Sequence, residues 1–170
     1  METPDEKWFR ERLRHFLEVR HPPRQFHRAM IERRSRLAFE SYVQSVEQGA
    51  TADSAVRTAD KVLFRGLLFS KYDTVHLILA TDFPAIPESQ RQEVALRLTR
   101  ICAPIFRAYN LNDDFAERPE FRPLKEELRT GIRNWIDENG VPGYHSPARK
   151  EKPLVPYSEQ PRYPKRNKRK

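Results

Sequence analysis

Apolar side chains recur every three to four residues along most of the chain, and the stripes are interrupted at capping residues and prolines. Trp8, Phe9, Leu13, Phe16 and Leu17 mark a first helix. Thr3 stands at its N-cap, Pro4 at the first helical position, and Asp5 and Glu6 in the first turn, where the positive end of the helix dipole favours acids. His21-Pro22-Pro23 ends it, because a residue before proline is pushed out of the α region. A second helix is predicted from about Arg24, with Met30, Ile31, Ala38, Phe39, Tyr42 and Val46 on one face and Gly49 as a left-handed C-terminal residue. Thr51 opens a third, in which Ala55, Val56, Ala59, Val62, Leu63 and Leu67 turn inward.

Ser70-Lys71-Tyr72-Asp73 reads as a capping box for a fourth helix. Its apolar run Val75, Leu77, Ile78 and Leu79 is nearly continuous and predicts a buried central helix. Pro84 and Pro87 break the chain. Val94, Ala95, Leu98, Ile101, Cys102, Ile105 and Phe106 form a fifth helix, which Pro104 must kink or split. Phe121, Leu124, Leu128, Ile132, Trp135 and Ile136 make the cleanest stripe, closed by Gly140 before Pro142. No two-residue alternation competes, so the expected fold is all-α: one compact domain of about six helices over residues 4–140.

Charge changes the picture at the C-terminal end. Of a net +8 over 170 residues, residues 146–170 carry nine Lys or Arg against two acids, leaving only +1 for the rest. With five prolines and five hydrophobic residues in 25, this segment has too little apolar surface to offset the entropy of ordering it. Residues 141–170 are therefore expected to be a Pro-rich, basic, disordered tail. Residues 1–36 have a milder excess of +4. No apolar run reaches the roughly 18 to 20 residues of a membrane helix, and Met1 to Arg10 lack a signal peptide's apolar stretch, so no membrane contact and a cytoplasmic location are expected. One cysteine, Cys102, excludes an intramolecular disulfide and every multi-cysteine metal motif.

The chemistry-bearing residues favour structural roles. Five scattered glycines build no phosphate loop or dinucleotide fingerprint, and neither H-E-x-x-H nor G-x-S-x-G occurs. His15, His21 and His27 are separated by a proline pair that denies them a common helical face, and His76 falls inside the apolar fourth helix, where a hydrogen-bonded core histidine is expected. Cys102 lies on an apolar face, which buries the sulfur. Asn110 to Glu117 fails as a calcium loop, with Phe115 where glycine is needed and Phe121 where the bidentate Glu belongs. Asp113, Asp114 and Glu117 could serve a metal-assisted hydrolase, but adjacent aspartates in a loop more often cap backbone amides. The expectation is no catalytic residue, no metal and no cofactor.

Three segments, Gly66-Leu67-Leu68-Phe69-Ser70-Lys71-Tyr72-Asp73, Leu111-Asn112-Asp113-Asp114-Phe115 and Asn134-Trp135-Ile136-Asp137-Glu138-Asn139-Gly140, together resemble the domain-of-unknown-function family 1896 over roughly residues 8 to 140. Its members are small all-helical proteins of Bacteroidetes-type bacteria, often associated with conjugative transposons. The resemblance implies a six-helix fold, a bacterial cytoplasm and a mobile-element setting; it implies no activity and assigns no residue a role.

The remaining functional signal is the tail. Arg162, Lys165, Arg166, Lys168, Arg169 and Lys170 can neutralise phosphates, and Tyr163 can stack on an unpaired base. The arginines at 10, 12, 14, 20, 24, 28, 33, 34 and 36 could extend that surface or lie on solvated faces in pairs such as Glu32 with Arg36. The expected function is a non-enzymatic accessory or adaptor protein that touches nucleic acid through the tail and a protein partner through the body. The alternatives are the metal-assisted hydrolase and a purely protein-binding helical partner.

Overall fold

A computed structural model describes residues 3–24 and 27–144. Seven α-helices make up the described chain: α1 Glu6–Arg20, α2 Arg28–Glu47, α3 Ala52–Leu63, α4 Lys71–Asp82, α5 Glu88–Ile101, α6 Ala103–Arg107 and α7 Phe121–Asn139. Among the described residues there is no strand, only an isolated bridge between Val141 and Tyr144. The fold is all-α.

The seventh helix arises from Pro104, which splits the expected fifth helix rather than kinking it. Proline has no N–H to donate and its ring collides with the carbonyl four residues back, so α5 stops at Ile101. The Cys102 amide closes α5 on the Leu98 carbonyl at 2.8 Å, and α6 restarts with Pro104 in its first turn, where no donor is needed.

Several termini fall where the sequence puts them. Thr51 accepts from the Ser54 amide at 3.3 Å, and Ser70 accepts from the Asp73 amide at 2.9 Å. Gly49 and Gly140 take the left-handed conformation. Two starts differ. Asp5, not Thr3, caps α1, accepting from the Trp8 amide at 2.7 Å; the carboxylate is the stronger acceptor at the positive end of the dipole. Pro22–Arg24 forms a 3-10 turn, so α2 begins at Arg28 instead of Arg24.

The buried residues form two separate clusters. Phe9, Leu13 and Leu17 of α1, Ile31, Ala38 and Tyr42 of α2, and Ala55, Ala59 and Leu63 of α3 make the first, closed by Leu67. Ala38, Ala55 and Ala59 keep the α2–α3 interface thin, and these two helices pack most extensively of all pairs. The second cluster joins α4, α5, α6 and α7 around Val75, Ile78, Leu79, Leu98 and Phe106, against the stripe Leu124, Leu128, Ile132 and Ile136.

Three expected core residues are outside, among them Val46 near the end of α2. Leu77 is 55% exposed and Ile101 40%, because α4 and α5 each keep one face on solvent. Beyond α7 the chain turns through Pro142 and Gly143, burying Val141 and setting Tyr144 edge-on to Phe83, with ring centroids 6.1 Å apart. The packed body thus includes four residues past 140. Among the described residues, no helix is long and apolar enough to cross a membrane.

Candidate functional site between the two cores

The two clusters meet through polar groups at the end of α1, the α3–α4 loop and the loop before α7. Gly66, at φ +71°, folds the α3–α4 loop so that two amides face one carboxylate. Asp113 receives both: Gly66 donates to Oδ2 at 2.7 Å and Leu68 to Oδ1 at 2.9 Å. The expectation that an aspartate here caps amides holds for Asp113, but the amides are 45 and 47 residues away. Asp114 instead pairs with Arg118 at 3.1 Å on the surface and caps no amide. Glu117 is exposed, and among the described residues no three His, Cys, Asp or Glu side chains come together as a metal-ligand set.

The same seam holds α1 to α4. The Ser70 hydroxyl donates to the Arg20 carbonyl while accepting from the Asp73 amide. The Asp73 carboxylate does not return to Ser70 as a full capping box would; it takes the Arg20 guanidinium at 2.5 Å. His21, half-buried, donates through Nε2 to the Leu67 carbonyl at 2.7 Å. Burial pushes its pKa below the ordinary histidine range, against the opposing pull of the Leu67 bond, and the nearby Arg24 lowers it further. Burial, helped by the Asp73 charge, raises the Tyr72 phenol.

Beside this seam lies a cleft of about 330 Å³. Phe69, Leu96 and Leu111 give it apolar walls, and His21, Tyr72, Thr99 and Asn112 line it with polar groups. Arg24, Lys71 and Arg100 reach it from three different elements, and Asp113 supplies the one carboxylate among the described residues that line it. Two of the three segments that carry the family resemblance, Gly66 to Asp73 and Leu111 to Phe115, meet here.

A second feature runs along α3 and into the turn that follows it. Arg57, Lys61 and Arg65 recur every four residues, all are exposed, and none has an ion-pair partner among the described residues. Arg65 and Arg33 also line one groove between α2 and α3. Sequence reading placed body basicity on the first two helices, yet many of those arginines are engaged. Arg10 pairs with Glu6, Arg12 with Asp60, Arg20 with Asp73, and Arg34 donates to the Leu63 and Arg65 carbonyls. Glu32 takes Arg28 at 2.8 Å, not Arg36. The signal for the ridge was the four-residue spacing of its cations.

Of the other candidates, Cys102 is buried, which lifts its thiol to about 11. His76 is only half-buried and lies against the Tyr72 ring at 5.7 Å instead of in the core. Arg162, Tyr163, Lys165, Arg166, Lys168, Arg169 and Lys170 lie outside the described residues.

The model of the family described as a domain of unknown function (DUF1896) matches residues 2–141. The crystal structure of protein PG0816 from Porphyromonas gingivalis is similar at 31% identity and a TM-score of 0.76, covering 82% of this chain and 95% of that one. Among curated proteins, none matches significantly.

Proposed function

The chain belongs to the DUF1896 family, and from that footing we propose that it is a non-enzymatic accessory or adaptor protein of the bacterial cytoplasm that contacts nucleic acid electrostatically. The mobile-element setting is what the family resemblance implies. The observation that carries the reading is the α3 ridge. Arg57 and Lys61 stand one helical turn apart, about 6 Å along α3, and Arg65 follows in the turn past Leu63, with no acid of the body pairing them. They add to the nine cations of residues 146–170. Such a row neutralises phosphates without reading bases, since it presents no groups arranged for a base edge. The acidic loop supports the non-enzymatic part, because Asp113 is engaged by two amides and Asp114 by Arg118.

The test is fluorescence anisotropy of the full chain with labelled single strands at 50 to 200 mM salt. Binding should weaken steeply with salt, and converting Arg57, Lys61 and Arg65 together to Gln should flatten the log–log slope by about 2. Deleting residues 146–170 should flatten it further. Absence of binding at low salt, or a slope untouched by both changes, would discard the proposal.

A further inference from the structure

We propose that the cleft between the two cores is a binding site for a phosphomonoester of mononucleotide size. Charge is the first argument. Arg24 follows α1, Lys71 opens α4 and Arg100 lies in the last turn of α5, so three cations from separate elements border one cavity. Among the described residues the only carboxylate on its wall, Asp113, already accepts two amide bonds. Lys71 lies 5.6 Å from the Phe106 ring, a contact that leaves its charge in place. Three positive groups against one negative leave a net +2, which matches a phosphate monoester carrying nearly two negative charges better than a carboxylate carrying one. Lys71 also stands at the amino end of a twelve-residue helix, whose dipole adds to the positive potential.

Shape and the uncharged groups extend the argument from an anion to an organic phosphate. Inorganic phosphate would leave the Phe69, Leu96 and Leu111 walls uncovered, whereas a volume of about 330 Å³ falls within the ordinary range of small-molecule sites. Asn112 carries a buried amide oxygen with no hydrogen-bond partner among the described residues. A buried acceptor left alone is costly, and a turn of the Asn112 amide toward the N–H or O–H of a bound base or sugar would satisfy it. Tyr72 and Thr99 add hydroxyls on the same walls. The cleft thus combines three cations, an apolar lining and an unsatisfied amide, three features that match the phosphate, ring and polar edge of such a ligand.

Isothermal titration of the full chain with adenosine 5′-monophosphate, uridine 5′-monophosphate and ribose 5-phosphate tests the site. At least one should bind saturably with one site per chain, while adenosine and inorganic phosphate each bind at least about tenfold more weakly. Arg100→Gln and Lys71→Gln should each weaken binding about tenfold without moving the melting temperature of the free protein. Arg57→Gln, on the ridge and not on the cleft wall, should leave it unchanged, which separates this site from the nucleic-acid surface. If Lys71→Gln does not fold, Arg100→Gln alone decides. No binding of any of the three phosphates at millimolar concentration, equal binding of inorganic phosphate, or affinity indifferent to Arg100→Gln would each overturn the proposal.

Discussion

Replacing Asp113 with alanine removes both acceptors that hold the Gly66 and Leu68 amides. Hydrogen bonds to a charged group contribute about 1.5 to 3 kcal/mol each. Asp113 is half-buried and the two amides sit in a loop that water can reach, so the lower end applies and the losses do not add fully. The expected cost is about 2 kcal/mol. For a body of this size, that lowers the melting temperature by roughly 5 to 10 °C. Asp114→Ala is the control. Its carboxylate is largely exposed and pairs only with Arg118 four residues on, a surface contact of at most about 0.5 kcal/mol. Asp113→Asn should fall between, since it keeps one acceptor but points an amide N–H at the second donor. Circular dichroism melts and urea titrations of the three variants read the difference. Equal losses for Asp113→Ala and Asp114→Ala would refute the argument that one carboxylate ties the loop across the seam.

His21 supplies a pH test: its pKa is below the ordinary value of about 6.5, so the unfolded chain takes up a proton that the native site resists, and stability should fall as pH drops below that value, with the loss complete below the folded pKa. His21→Gln should flatten the dependence of melting temperature on pH between 7 and 5; identical curves would contradict the assignment. Leu128→Ala empties a fully buried position on α7 and should cost about 2 to 5 kcal/mol in chemical denaturation, against less than about 1 for Glu127→Ala, which loses only the bond from the Tyr109 hydroxyl. Cys102, buried and with a thiol at about 11, should resist alkylation at pH 8 in the native protein and react at once in denaturant; rapid native labelling would show that the α5–α6 joint opens freely.

The helices were legible where one residue decides the outcome locally. Thr51, Ser70, Gly49 and Gly140 act within four residues of themselves, and the α7 stripe reports a single buried face. What lay hidden depends on partners distant in sequence. Asp113 reads as a local cap because nothing in Leu111 to Phe115 indicates Gly66. The Arg20 to Asp73 pair spans 53 positions and diverts Asp73 from the capping box its spacing suggests. Leu77 and Ile101 look like core because hydrophobicity does not record which face of a helix remains uncovered. The cleft is the extreme case: its cations come from three elements, and no local window brings them together.

That the two buried clusters are separate also bears on how the native protein fluctuates. An opening that exposes the core beneath α1, α2 and α3 need not expose the one beneath α7, so amide hydrogens should exchange with deuterium in two blocks with distinct opening free energies. Among the described residues, hydrogen bonds and one ion pair couple the blocks across the seam. The difference between the two opening energies is then set at the seam, and a molecule bound in the cleft would be felt by both halves at once.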